Sequence, residues 1–163
     1  MFLVFLKSSA KTTKIVSVII VLGILSLVLF IIRPNKTIVK SSAGDYNVCV
    51  KSNLDRVDFF SKFGWKINDE FVVKETIKIP EVFNDIYEIY NRIQKNQGLN
   101  LEKYKGKTCE RFVYLLKNYG ADFDRVEATV LVRQNRVIGG DISSSEKGGF
   151  SHGFVRPDPS KIT

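Results

Sequence analysis

The run IVSVIIVLGILSLVLFII, Ile15 to Ile32, places 18 residues in a row without a charged side chain. As α-helix it spans about 27 Å, close to the roughly 30 Å hydrocarbon core of a bilayer. It reads as one transmembrane helix. A cleaved secretory signal would have a shorter apolar region with a small-residue site close behind it. Here Arg33 and Pro34 come next, and Ser41-Ser42-Ala43 lies well beyond the run. Lys7, Lys11 and Lys14 precede the helix and Arg33, Lys36 and Lys40 succeed it, so the positive-inside bias nearly cancels. A short basic tail before a first span ordinarily stays in the cytoplasm, which sends the C-terminal domain outside. The expected organisation is a cytoplasmic basic tail (1–14), a transmembrane helix (15–32), a polar tether (33–44) and an extracytoplasmic domain (45–163).

The formal charge of +8 changes meaning once it is located. Six of the 25 Lys and Arg residues flank the apolar run, whereas all 17 acids lie from Asp45 onward, leaving the domain with 19 cations against 17 anions. The excess suits contact between the N-terminal helix and anionic lipid headgroups. The basic footprint of a nucleic-acid protein is missing, and no nucleic-acid partner is expected.

The domain pattern is mixed. A short strand is expected at Tyr46–Val50. SNLDRVDFFSKFGW comes after it with a Ser52 or Asn53 cap, Leu54, Val57, Phe60 and Phe63 on one face, and a stop at Gly64. Trp65, just past that glycine, reads as a lid on the helix end. FVVKETIKI, Phe71 to Ile79, alternates as a half-exposed strand. Pro80 then opens a helix that ends at Gly98, with Val82, Ile86, Ile89 and Ile93 as its expected core stripe and Phe83 and Tyr90 beside it. Thr108 to Tyr119 is apolar on both faces, as a central strand should be. VEATVLVR and RVIGGDIS form a hairpin about Gln134-Asn135. The fold expected is α+β: two helices on one face of an antiparallel sheet, preceded by one transmembrane helix.

The stretch RVIGGDISSSEKGGFSHGF, Arg136 to Phe154, collects two Gly-Gly pairs, a run of three serines and the sole histidine, His152. A phosphate loop needs its glycines between a strand and a helix N-terminus. Gly139-Gly140 instead fall in a strand, where a bulge or close backbone approach is the better account. The nucleotide-cyclase turn suggested by Gly-Gly-Asp fails at Ile142 and Ser143, where acid and phenylalanine would stand. His152 with a serine of Ser143–Ser145 forms the elements of a hydrolase, yet the strand-elbow-helix context of such a nucleophile is absent. Asn118, Asp122, Asp124 and Glu127 offer oxygen ligands without the order of a calcium loop. Cys49 and Cys109 lack metal or redox spacing and read as small buried residues on separate strands, with a disulfide between them outside the cell as the alternative. No cofactor or metal is expected.

The segments FFSKFGWKI, IPEVFNDIYEIYNRIQKNQGLNLEKYKGK, VIGGDISS and GGFSHGF together resemble a bacterial, mostly Gram-positive family of membrane-anchored proteins, a domain of unknown function of the 4830 type. The resemblance runs from about Leu54 to Phe154 and rests on an FGW segment, a Pro-started helix leading to YNxxQxxxG, a YKGK turn and a terminal GGD…HGF. It brings no catalytic or binding residues. Gln134-Asn135 departs from the Asp-Gly or Asn-Gly expected at the hairpin turn.

The function expected is a non-catalytic extracytoplasmic domain that binds a protein, peptide or envelope component, with Trp65, Tyr104, Asp141 and His152 as the candidate motif surface. The alternatives are an extracytoplasmic hydrolase using Ser143–Ser145 with His152, and a domain that only spaces a complex assembled by the transmembrane helix.

Overall fold

The computed structural model describes residues 16, 18–24, 26, 37–41, 44–120 and 123–157. Contacts divide the chain into two units, residues 1–36 and 37–163. In the first unit the described residues 16, 18–24 and 26 are helical. Among the described residues no helix is long and apolar enough to cross a membrane. The expected basic tail and most of the expected span lie outside the described residues.

The second unit is α+β with two antiparallel sheets. Strands β1 (Ile38–Ser41) and β2 (Gly44–Asn47) form a hairpin. The expected tether is thus corrected over its last residues: β-branched Ile38 and Val39 pair in a strand, and Val39 packs on the main core. Helix α1 (Asn53–Ser61) begins with a capping box, Ser52 accepting from the amide of Asp55 while Asp55 accepts from that of Ser52. It ends where the Trp65 amide reaches back to the Phe60 carbonyl. The main sheet orders β3 (Val73–Lys78), β4 (Thr108–Leu115), β5 (Glu127–Arg133), β6 (Arg136–Ser143) and β7 (Ser151–His152) as neighbours in sequence. Gln134 and Asn135 both take positive φ, 49° and 59°, so the β5–β6 turn is tight without a glycine.

The two helices do not share a face of this sheet, which corrects the expected layering. Alternate residues of a strand point to opposite sides. Phe112, Tyr114, Ala128, Val130 and Ile142 join the core beneath α1 with Phe59, Phe60 and Trp65. Cys109, Leu131 and Ile138 join a second core with Tyr87 and Tyr90 of α2 (Asp85–Asn96) and Leu101 of a 3-10 turn, Leu101–Tyr104. Strands apolar on both faces need cover on both, and each helix supplies one side.

Helix α2 departs further from its sequence pattern. It starts at Asp85, with Asn84 accepting from the Tyr87 amide, rather than at Pro80. Its expected core stripe faces outward: Val82, Ile86 and Ile89 are 83%, 77% and 52% exposed. Asn91 and Gln94 are buried in their place. Leu54 on α1 is likewise exposed, while Arg56 is buried with its guanidinium 3.8 Å above the Phe112 ring and Nε donating to Tyr114.

Candidate functional site

The inversion of α2 has a local cause at the open edge of β6. Residues 142–143 pair with β7, and the Val137 amide donates to Val48. Between these stretches the amide and carbonyl of Gly140 meet no strand. Buried backbone groups need partners, and two buried glutamines supply them. Gln94 Oε1 accepts from the Gly140 amide at 2.9 Å, and Gln97 Nε2 donates to the Gly140 carbonyl at 3.0 Å. Gln97 Nε2 also donates to Gln94 Oε1, while Gln97 Oε1 accepts from the Phe154 amide. Asn91 completes the polar face by accepting from the Leu101 amide.

Gly140 itself has φ +154°, and a Cβ there would sit 2.3 Å from the Thr129 carbonyl and 2.7 Å from the Phe154 ring. The second glycine of GGD and the closing phenylalanine are therefore one packed contact. The glycine-rich stretch is architecture at this point.

His152 lies on the α1 side, opposite Ile142. Its ring stacks within a set of aromatics: Phe150 at 5.4 Å, Tyr119 at 5.7 Å and Trp65 at 6.2 Å between centroids. Arg156 covers the Trp65 ring at 4.4 Å. Nδ1 donates to the Gly153 carbonyl and Nε2 accepts from the Tyr119 hydroxyl at 3.1 Å, which fixes the neutral tautomer. Burial lowers the His152 pKa, with the Gly153 carbonyl pulling the other way. Trp65 is buried, and its indole N–H donates to the Phe154 carbonyl.

Asp141 occupies the other face. It accepts from the Tyr90 hydroxyl at 3.0 Å and the Ser151 hydroxyl at 3.3 Å. Burial raises its pKa against the lowering effect of the Ser143, Tyr90 and Ser151 hydroxyls and of Arg111. A polar recess of about 250 Å³ opens beside it, lined by Tyr87, Tyr90, Arg111 and Thr129.

An apolar concavity lies at the other end of α2. Its volume is about 320 Å³, and Tyr46, Phe63, Ile93, Gln97, His152 and Val155 line it. Of the four candidate residues, Trp65 and His152 meet in one stack, Asp141 is on the reverse of the sheet, and Tyr104 packs in the second core. The polar residues missed by sequence reasoning are Asn91, Gln94 and Gln97. Their spacing on one helical face was visible, but only the unpaired edge at Gly140 explains it.

The hydrolase pair is not assembled by these contacts. Ser143 pairs with Ser151 on the Asp141 face, and Ser144 Oγ accepts from the Glu146 amide. Asn118, from the acidic loop, brackets the end of α1, accepting from the Lys66 amide and donating to the Gly64 carbonyl. Asp122 lies outside the described residues. Among the described residues no group of three His, Cys, Asp or Glu side chains stands close enough to hold a metal. Cys49 and Cys109 are free thiols; burial pushes Cys109 up to about 11.

The Gln94, Gln97 and Gly140 arrangement lies within a region that matches a family model. Residues 59–142, just over half of the chain, match the family described as a domain of unknown function (DUF4830). The chain belongs to this family. No curated protein and no solved structure matches the chain. The DUF4830 match ends one residue past Asp141, so β7 and the HGF segment that seals the Gly140 contact lie outside it.

Proposed function

We propose that this DUF4830 chain is a non-catalytic binding protein. A single membrane-spanning helix at 15–32, with its N-terminus in the cytoplasm, carries the domain on the outer side of a bacterial cell membrane. The domain engages a protein, peptide or other envelope component. The observation that carries this reading is the 320 Å³ cavity of Tyr46, Phe63, Ile93, His152 and Val155. Its size and mostly apolar lining with a few polar groups fit a ligand site. The commitment of both His152 nitrogens to Gly153 and Tyr119 supports a binding role over a catalytic one. The uncharged run with basic flanks supports the anchor and its contact with lipid, and the near-neutral domain argues against nucleic acid.

Two measurements test it. A photo-crosslinking residue at Val155 in the full chain should trap one envelope component in living cells, and Phe63→Arg should abolish that product while a probe at exposed Lys147 gives none. Equal capture from both positions, or capture indifferent to Phe63→Arg, would sink the cavity as the site. A C-terminal alkaline phosphatase fusion should be active; a silent phosphatase with a fluorescent cytoplasmic fusion would reverse the topology.

A further inference from the structure

Ile86, Ile89 and Ile93 of α2 succeed one another at intervals of three and four residues, the spacing of a two-helix seam, with exposed Val82 just ahead of the helix. In this chain that seam points away from both cores, because the opposite face of α2 is committed to the Gly140 edge through Gln94 and Gln97. Ile93 is half-buried where the seam meets the apolar cavity; Ile86 and Ile89 stand clear of it.

The charges beside the seam name what covers it. Asp85 precedes Ile86 by one residue and Arg92 precedes Ile93 by one, so both flank the seam on the same side, seven residues apart. Neither has an ion-pair partner among the described residues, whereas Lys95 is held by Glu102 and Glu81 by Lys78. We propose that α2 is the interface of a two-fold homodimer in which two copies of this helix pair antiparallel. With the axis between Tyr87 and Glu88, Ile86 meets Ile89 of the second copy and Asp85 meets Arg92 of the second copy. The two-fold then repeats both contacts, as an isologous interface requires.

A parallel arrangement is disfavoured, since its two-fold axis carries Asp85 and Arg92 of the second copy to the opposite side of the seam, where the two charges cannot meet. A lipid surface is also a poor cover. Interfacial helices carry a mainly basic polar face, whereas this seam is bordered by Asp85 and Glu88 as well as Arg92. The seam meets the cavity at Ile93, but the contacts proposed for the dimer, at Asp85, Ile86, Ile89 and Arg92, are made by residues that do not line it, and neither proposal depends on the other.

The test uses the full chain, labelled at the N-terminal amine with donor or acceptor fluorophore in separate batches and reconstituted together in dilute phosphatidylcholine vesicles. The native chain should show energy transfer. Ile86→Glu with Ile89→Glu should weaken association by more than tenfold. Asp85→Arg and Arg92→Asp should each weaken it by about tenfold, and the double reversal D85R/R92D should restore it. All four side chains are on the exposed outer face or flank of α2, so an unchanged Trp65 emission spectrum certifies the fold of every variant. Transfer that ignores the Ile86 and Ile89 changes would place association in another part of the chain and overturn the proposal. So would absence of transfer in the native chain, or a double reversal as weak as the single ones.

Discussion

Gln97 and Gly140, 43 residues apart in sequence, meet through a buried 3.0 Å hydrogen bond from the glutamine amide to the glycine carbonyl. The same side chain accepts from the Phe154 amide, and its own backbone carbonyl accepts from the Tyr46 hydroxyl. One residue thus fastens the end of α2 to the edge of β6, the chain end and the β1–β2 hairpin. Truncating it leaves the Gly140 carbonyl and the Phe154 amide without partners, at about 1–3 kcal/mol for each unsatisfied group. Gln97→Ala should therefore destabilise the domain by about 2–4 kcal/mol. Urea unfolding followed by the single tryptophan, Trp65, measures it; a loss comparable to an exposed substitution such as Lys147→Ala would show the bonds to be dispensable.

Gly140→Ala should be damaging for a different reason. The added methyl meets backbone on one side, the Thr129 carbonyl, and the Phe154 ring on the other. The backbone oxygen cannot move without distorting the β5 ladder. The expected cost is about 2–3 kcal/mol, in the range of core overpacking. Gly148→Ala is the useful control for crowding, because a Cβ there meets nothing within 4 Å although its φ of +78° carries backbone strain. Equal losses at both positions would mean that conformation, and not the Phe154 contact, decides the matter.

Strands β3 to β6 and both helices were legible because alternation and capping are local properties. Ser52 with Asp55, and the apolar alternation of β5, each needed only their neighbours. The placement of α2 was not legible. A stripe of Val82, Ile86, Ile89 and Ile93 outweighs Asn91 and Gln94 in any reading of hydrophobic periodicity, yet the helix turns its amides inward. What decides is the hydrogen-bonding deficit of Gly140, created by a gap between two partners of β6 that lie far away in sequence. The same long-range origin hid the split of helices between the two sheet faces. Trp65 was legible as a helix lid because Gly64 and Phe60 are close to it in sequence; its stacking on Tyr119, at 5.7 Å, was not. The GGD and HGF glycines suggested a site by composition alone; Gly153 packs on Gln97, the side chain that also bonds the Gly140 carbonyl, and this shared neighbour relates the two motifs.

His152 gives the domain a pH dependence on the acid side of neutrality. Its folded pKa is lowered, so the unfolded chain takes up a proton first as pH falls below about 6.5. The contribution is fully present above that value and is lost as pH falls through the folded pKa. His152→Phe keeps an aromatic ring in the stack while removing the titration. Melting temperatures between pH 7.5 and 5 should fall more steeply for the native chain than for H152F. Parallel curves would show that His152 does not titrate differently on folding.

Asp141 should act with the opposite sign. Burial raises its folded pKa, so ionisation costs stability: the contribution is present below the ordinary value of 3.8 and is lost as pH rises through the folded pKa. Asp141→Asn is neutral throughout and retains an acceptor for the Tyr90 hydroxyl, while its amide can donate to Ser151. At pH 7 the variant should melt above the native chain, and the gap should narrow as the pH approaches 4. His152 charges over part of this range, so the comparison belongs in the H152F background, where Asp141 is the buried group left to titrate on this part of the sheet. A variant that melts below its parent by the same margin at pH 7 and pH 4 would mean that the three hydroxyl donors stabilise the carboxylate more than burial opposes it.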